Sequence, residues 1–131
     1  GHRLGEASGL GNLGLCYRAL GDLPKAIAYH KAALQIHREI GSRGGEATQL
    51  SNLGGILSQI GKCEGALASW LLSLAILEEM GSTRATKVRE WIADLEVRFR
   101  EDSQRRGRLS AARRNPWQVL DSTLKELTAQ R

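Results

Sequence analysis

An internal repeat of forty residues constrains this chain more than any other feature of its sequence. Residues 1–40 and 41–80 align without a gap, and the same residue recurs at more than a third of the positions. The recurring pairs include Glu6 and Glu46, Asn12 and Asn52, Gly14 and Gly54, Gly21 and Gly61, and Ala26 and Ala66. A third copy begins at Gly81 and decays quickly. A period of this length predicts a stack of equivalent units, each burying its apolar face against a neighbour.

Each copy predicts two α-helices. Apolar residues in the first half of copy one recur at helical spacing, and so do those of the second half. Between them, Gly21 suits a left-handed helix end, Asp22 can cap the next helix, and Pro24 fits its first turn. A connection this short forces the two helices to be antiparallel. Because β-branched and aromatic residues are scarce, with aromatics at 5%, we predict an all-α fold.

Glycines in the middle of predicted helices need an explanation, since each costs about 1 kcal/mol relative to alanine. Gly14 and Gly54 recur at the same position of the two copies. We expect both to face the partner helix of their own pair. Ala26 and Ala66 are the small residues that we expect to meet them, which would let the two helices approach closely.

The third copy predicts a single amphipathic helix from about Thr83 to Arg100, with Ser82 as its N-cap. Its apolar residues should pack on the helix of residues 64–80. They are Val88, Ile92, Leu95 and Phe99, while Trp91 either packs beside them or points into the groove of the stack. Residues 101–114 can be the end of that helix followed by a loop, or a second helix.

The last segment, residues 115–131, begins with a helix start signal, because Asn115 can cap and Pro116 fits the first position. Its apolar residues form one stripe, made of Trp117, Leu120, Leu124 and Leu127. This helix either closes the C-terminal end of the stack or docks on another subunit of a homodimer.

The net charge of +5 comes entirely from residues 98–131. The seven arginines of this basic segment are Arg98, Arg100, Arg105, Arg106, Arg108, Arg113 and Arg114. They are either a solvated surface or a patch for nucleic acid, an acidic partner or an anionic membrane surface. No aromatic residue lies between Arg100 and Arg114, which argues against base stacking.

The sequence contains no motif of a catalytic or cofactor-binding site. His30 and His37 lie seven residues apart on one helix, about 10 Å, which is too far for one metal ion. We therefore predict no enzyme activity, no cofactor and no metal. Cys16 and Cys63 do not form a disulfide framework and are expected to be reduced, which is consistent with a cytoplasmic protein. No apolar run is long enough to span a membrane.

The run Asn12-Leu13-Gly14-x-x-Tyr17, followed by Gly21-Asp22 and by Ala26-Ile27-x-Tyr29-x-x-Ala32-Ala33-Leu34-x-Ile36, resembles the tetratricopeptide repeat. The forty-residue period is similar to the repeats of kinesin light chains and LGN-type scaffolds, and to arrays appended to bacterial and fungal signalling ATPases. The resemblance covers residues 1–80 strongly and 81–99 weakly. It implies a superhelix of helix hairpins with two full repeats (1–40 and 41–80). A degenerate third unit (81–114) and a C-terminal capping helix (115–131) would complete it.

The resemblance also implies a non-catalytic module that binds a peptide or protein segment in a concave groove lined by the first helix of each pair. The groove positions carried over by phase are Ser8, Gly11, Asn12, Leu15, Arg18, Thr48, Ser51, Asn52, Gly55, Ser58 and Gln59. An asparagine amide can grip a peptide backbone as donor and acceptor, or it can bond to its own neighbours. Arg18 can pair with a ligand carboxylate, or it can be a plain exposed arginine. We expect the chain to be a segment of a larger signalling or scaffold protein with further repeats upstream. The exposed repeat end offers a second route to a homodimer.

Overall fold

The computed structural model describes residues 1–129, which fold into seven α-helices and no strand. The helices are α1 (His2–Ala19), α2 (Leu23–Ile40), α3 (Arg43–Gln59), α4 (Cys63–Glu79), α5 (Ala85–Arg98), α6 (Ser103–Arg114) and α7 (Pro116–Ala129). The predicted all-α fold is confirmed. Residues 130 and 131, the end of the predicted last helix, lie outside the described residues.

A left-handed glycine follows α1, α2, α3 and α4, and the four glycines are evenly spaced at Gly21, Gly41, Gly61 and Gly81, with φ between 66° and 83°. After each glycine, the next residue donates its N–H to a carbonyl five residues back, as Asp22 does to Tyr17 at 2.9 Å. This pattern satisfies carbonyls that a helix end would leave unpaired. Asp22 also caps α2 by accepting the N–H of Lys25 at 3.2 Å. The predicted helix ends and the predicted cap are therefore confirmed.

The first four helices form two hairpins that stack on one another. α1 packs on α2, α3 packs on α4, and α2 contacts α3 across the junction. The core lies mainly around α3 and α4, whose leucines and isoleucine at positions 50, 53, 56, 57, 67 and 77 have no exposed surface. α4 is the central helix, because α5, α6 and α7 also pack against it.

The mid-helix glycines face their partner helices as predicted, and the side chains nearest to them are rings. A Cβ on Gly14 would lie 2.7 Å from ring atoms of His30, and one on Gly54 would lie within 3.0 Å of the indole of Trp70. Ala26 and Ala66 are both fully buried. The atoms nearest to each glycine belong to a ring one helical turn beyond the expected alanine, which reaches across the hairpin. The glycines thus make room for rings.

The junction between the two hairpins contains a buried polar pair. The His30 ring of α2 has no exposed surface, and its Nδ1 lies 2.8 Å from Oε1 of Gln49 on α3. Burial lowers the pKa of His30, the bond to Gln49 raises it, and the positive charge of Arg18 lowers it further. His37 at the same junction is also buried and has its pKa lowered by burial, against the charge of Glu46.

α5 is shorter than predicted. Ser82 accepts the N–H of Arg84 at 3.2 Å, but the chain makes a tighter turn there, and the helix begins at Ala85 with Arg84 as its N-cap. Its apolar face packs on α4 as expected, with Val88, Ile92 and Leu95 buried. Trp91 is half-buried, with its ring 5.7 Å from that of Trp70.

Residues 103–114 form a second helix rather than a loop. Asp102 caps α6 by accepting the N–H of Arg105 at 3.0 Å. Only Leu109 and Ala112 of this helix are buried. α6 packs on α4 and α7 and does not form a regular hairpin with α5. The third unit therefore departs from the hairpin geometry of the first two.

α7 begins at Pro116 as predicted, and Asn115 accepts the N–H of Gln118 at 3.4 Å. Leu120 and Leu124 are buried, while Trp117 and Leu127 are half-buried. α7 lies against α4, where the Thr123 side chain packs on Gly65. It also contacts α2, because the Arg38 guanidinium stacks on Trp117, with its Cζ 3.9 Å from the centre of the ring. Its apolar stripe is thus covered within the chain, and α5 is the helix that follows α4 in the stack.

Candidate peptide-binding face of the first helices

One strip of α3 defines the candidate site. Thr48, Asn52, Gly55 and Gln59 are spaced by four, three and four residues, which places them on one face of the helix. Their counterparts forty residues earlier on α1 are Ser8, Asn12, Leu15 and Ala19, and all four of these are exposed. We call these two rows together the first-helix face.

The side-chain amides of the two asparagines of this face have no partner in the described part of the chain. Asn12 is exposed and Asn52 is half-buried. Within residues 1–129, neither side-chain amide makes a hydrogen bond. The sequence left two roles open for these amides: gripping a peptide backbone, or bonding to their own neighbours. In the described part of the chain, the structure shows no hydrogen bond of the second kind.

Three arginines border the strip on α3, and each one bonds to a neutral side chain. Arg18 of α1 donates from Nε to Oε1 of Gln59 at 3.4 Å, and its guanidinium lies over Gly55. Arg98 of α5 reaches Oγ of Ser58 at 3.5 Å. Arg84 donates to Oγ1 of Thr48 at 2.7 Å, at the other end of the strip. In the described part of the chain, no carboxylate lies within ion-pair distance of any of the three.

Six of the arginines away from this face do have a counter-charge. Carboxylates pair with Arg3, Arg38, Arg43, Arg89, Arg105 and Arg113. Such exposed pairs add little to stability, but they do neutralise the positive charge locally. In the described part of the chain, the three arginines of the first-helix face lack such a counter-charge, as do four exposed arginines of the basic segment.

Not every predicted groove residue lies on this face. Ser51 is turned toward α4, where its Oγ lies 2.7 Å from that of Ser73. Gly11 is buried, and the amide of Gln49 packs on it. Ser58 is half-buried beside the strip and serves as the acceptor for Arg98.

Sequence reasoning missed two of the three arginines. Arg98 was grouped with the basic segment, although it lies eighty residues, or two full periods, after Arg18 and so occupies the same phase. The eighty-residue spacing from Arg18 could therefore have predicted that Arg98 lies beside the first-helix face. Arg84 has no basic counterpart at Gly44 or Leu4, so the repeat offers no signal for it.

The basic segment is not one continuous patch. Arg105 pairs with Asp102 and stacks on Phe99, and Arg113 pairs with Glu96. Arg100, Arg106, Arg108 and Arg114 are exposed and make no ion pair among the described residues. The segment therefore divides between structural contacts and solvated charge.

Other kinds of site find little support in the structure. Cys16 and Cys63 are free thiols, and burial raises the pKa of Cys63 against the charges of Arg105 and Arg98. Among residues 1–129, no three metal-ligating side chains come together. No helix in that range has the length and apolar character needed to cross a membrane.

Comparison with known families decides what these hairpins are. A family model described as tetratricopeptide repeat matches residues 5–79, which is more than half of the chain. The chain belongs to the tetratricopeptide repeat family. Tetratricopeptide repeats generally mediate protein–protein interactions and typically act as scaffolds without catalysis. The similarity to the kinesin-light-chain and LGN type stays a prediction. No curated protein matches the chain.

Proposed function

We propose that this tetratricopeptide repeat protein binds an extended, acidic peptide segment along the first-helix face of α1 and α3. One observation carries this proposal. Among residues 1–129, the only side-chain hydrogen bonds of Arg18, Arg84 and Arg98 are to neutral acceptors on α3. An acidic ligand would supply the carboxylates that these guanidinium groups lack.

The asparagines offer a second kind of contact to the same peptide. Asn12 and Asn52 occupy equivalent positions one repeat apart, and each amide offers a donor and an acceptor. Both groups are what an extended peptide backbone needs at intervals along its length. We propose that the amides hold the backbone while the arginines select acidic side chains.

The proposal has consequences for the rest of the chain. We propose residues 1–40 and 41–80 as two binding repeats and 81–114 as a degenerate third unit that supplies Arg84 and Arg98. Residues 115–131 are proposed as a C-terminal capping helix. The protein is proposed to act without catalysis. A cytoplasmic location is proposed because both thiols are free and one is exposed.

A selection from a random peptide library displayed on phage tests the proposal. Peptides enriched on the protein should contain several Asp or Glu residues. Their affinity should fall about tenfold for Asn12→Ala/Asn52→Ala, since a neutral hydrogen bond contributes about 0.5–1.5 kcal/mol. It should fall by more than about tenfold for Arg18→Gln/Arg98→Gln, since a hydrogen bond to a charged group contributes about 1.5–3 kcal/mol.

Arg106→Gln/Arg108→Gln is the matched control, because it removes the same charge from exposed arginines of α6. It should leave peptide affinity within about twofold at 150 mM salt, where distant exposed charges are screened. Enrichment of neutral or basic peptides would contradict the proposal. So would an equal loss of affinity in the control variant, which would indicate that net charge alone drives binding.

A further inference from the structure

The three arginines of the first-helix face lie at the two ends of the strip on α3. Their acceptors are Thr48 for Arg84, Ser58 for Arg98 and Gln59 for Arg18. Thr48 lies ten residues before Ser58 and eleven before Gln59. At 1.5 Å per residue, these acceptors are separated by about 15 Å and about 16.5 Å along the helix. The strip therefore has one cation at its N-terminal end and two at its C-terminal end.

The two arginines at the C-terminal end reach α3 from different neighbours. Arg18 belongs to α1, which precedes α3 in the stack, and Arg98 belongs to α5, which follows it. Arg84 is the N-cap of α5, so it reaches α3 from the same side as Arg98. A ligand that lies along the strip thus meets two cations on its α5 side and one cation on its α1 side.

An extended peptide has a matching geometry. Its residues advance by about 3.3–3.4 Å each, and successive side chains point to opposite sides. Two residues four positions apart point to the same side at a separation of about 13–14 Å, which suits Arg84 and Arg98. Two residues five positions apart point to opposite sides at about 17 Å, which suits Arg84 and Arg18.

The strip itself supplies no negative charge to these arginines. Glu46 is the one acidic residue of α3, and it is buried and pairs with Arg43. Because Gly55 has no side chain, the Arg18 guanidinium lies over α3 itself, with Nη1 3.0 Å from the position of a Cβ on Gly55. The charge of Arg18 is thus held on the strip, where a ligand would lie.

We propose that the first-helix face selects extended peptides with acidic residues at the first, fifth and sixth positions of a six-residue segment. The lone acid binds Arg84, and the adjacent pair binds Arg98 and Arg18. This proposal rests on the peptide-binding function proposed above and adds a spacing to it. Each carboxylate forms charge-assisted hydrogen bonds, which are stronger than the bonds to neutral acceptors that they replace. A peptide of the opposite chain direction satisfies the same pattern with acids at the first, second and sixth positions.

Fluorescence anisotropy with synthetic peptides tests the spacing on the unaltered chain. All peptides carry three aspartates in the same neutral segment, with acetylated and amidated ends, so that only the positions of the charges differ. The peptide with acids at positions one, five and six, or its reverse, should bind about fivefold more tightly than a control with acids at one, four and six. In the control, one acid has moved by one residue and points to the wrong side of the strip.

The outcomes separate this proposal from the one on which it rests. If the control binds as tightly as both other peptides, or more tightly, the spacing is overturned while the binding of acidic peptides stands. If no acidic peptide binds, including those selected from the library, both proposals fail.

A double-mutant cycle then tests the assignment of Arg84 to the lone acid. Replacing that aspartate with asparagine should weaken binding to the parent chain about fivefold and should have no effect on binding to Arg84→Gln. The same replacement within the adjacent pair should weaken binding equally in both chains. Arg106→Gln is the matched control, because it removes the same charge from an exposed arginine of α6 and should leave the effect of the lone acid intact. A lone acid that contributed as much in Arg84→Gln as in the parent chain would overturn the proposed pattern.

Discussion

Replacing Gly54 with alanine isolates the physical reason for glycine in the middle of these helices. In an open helix the same change is favourable by about 0.5–1 kcal/mol, because alanine has the higher helix propensity. At Gly54 the added methyl would lie within 3.0 Å of the Trp70 indole. The ring is fixed there, since its Nε1 donates to the carbonyl of Ser51 at 3.3 Å and it packs against Trp91.

The expected magnitude follows from these contacts. Overpacking a well-filled core costs about 1–3 kcal/mol, and moving the indole off Ser51 costs about another 1 kcal/mol. After subtracting the gain in propensity, we expect Gly54→Ala to lower the free energy of unfolding by about 1–3 kcal/mol. Gly5→Ala, where the space is open, should raise it by about 0.5–1 kcal/mol.

Urea unfolding followed by circular dichroism measures both variants against the parent chain. A double variant, Gly54→Ala/Trp70→Leu, should lose less stability than the sum of the two single changes, because the smaller side chain leaves room for the methyl. Equal effects of Gly54→Ala and Gly5→Ala would contradict this expectation, since they would show that the Trp70 ring does not oppose the added methyl.

Three further predictions concern the junctions and turns. Stability should fall from about pH 7.5 to about pH 5.5, by at most about 1.4 kcal/mol per pH unit for each buried histidine. The folded state lowers the pKa of His30 and of His37, so the unfolded chain takes up protons first as the pH falls. Thermal melts should show a melting temperature that falls with pH. The His30→Gln/His37→Gln variant should show a smaller dependence on pH. Gly21→Ala should destabilise by about 1–2 kcal/mol in urea, because φ is +83° there, and a neutral result would contradict the left-handed turn. Arg38→Gln should speed hydrogen exchange in α7, because the guanidinium stacked on Trp117 contributes about 1 kcal/mol, whereas exchange unchanged from the parent would show that α7 docks without it.

The fold was largely predictable because backbone signals in this sequence are local and repeated. Gly21 and Asp22 specify a left-handed helix end and a cap through their own chemistry, and the structure has both. Asn115 and Pro116 acted in the same way for α7. The start of α5 was less predictable, because Ser82 can accept an N–H either from a helix or from the tighter turn that forms.

Side-chain contacts between helices were harder to predict. Periodicity showed that Gly14 and Gly54 face the partner helix, but it did not show that a ring would reach them, since that depends on the length of the side chains at His30 and Trp70. In the candidate site, too, periodicity predicted positions but not side-chain contacts. The position of Asn12 and Asn52 followed from phase, whereas the reach of Arg84 to Thr48 depends on a turn with no counterpart in the other repeats.

The central claim is that the first-helix face, bordered by arginines without counter-charges, binds an acidic peptide. Its most direct test is a titration of the isotope-labelled chain with a library-selected acidic peptide, followed by amide chemical shifts in NMR. We expect the largest changes to fall along Thr48–Gln59 and around Asn12, and to require more than about ten times as much peptide in Arg18→Gln/Arg98→Gln. Changes centred on the exposed arginines of α6, or on the groove between α2 and α7 lined by Ile27, Lys31 and Leu127, would contradict it.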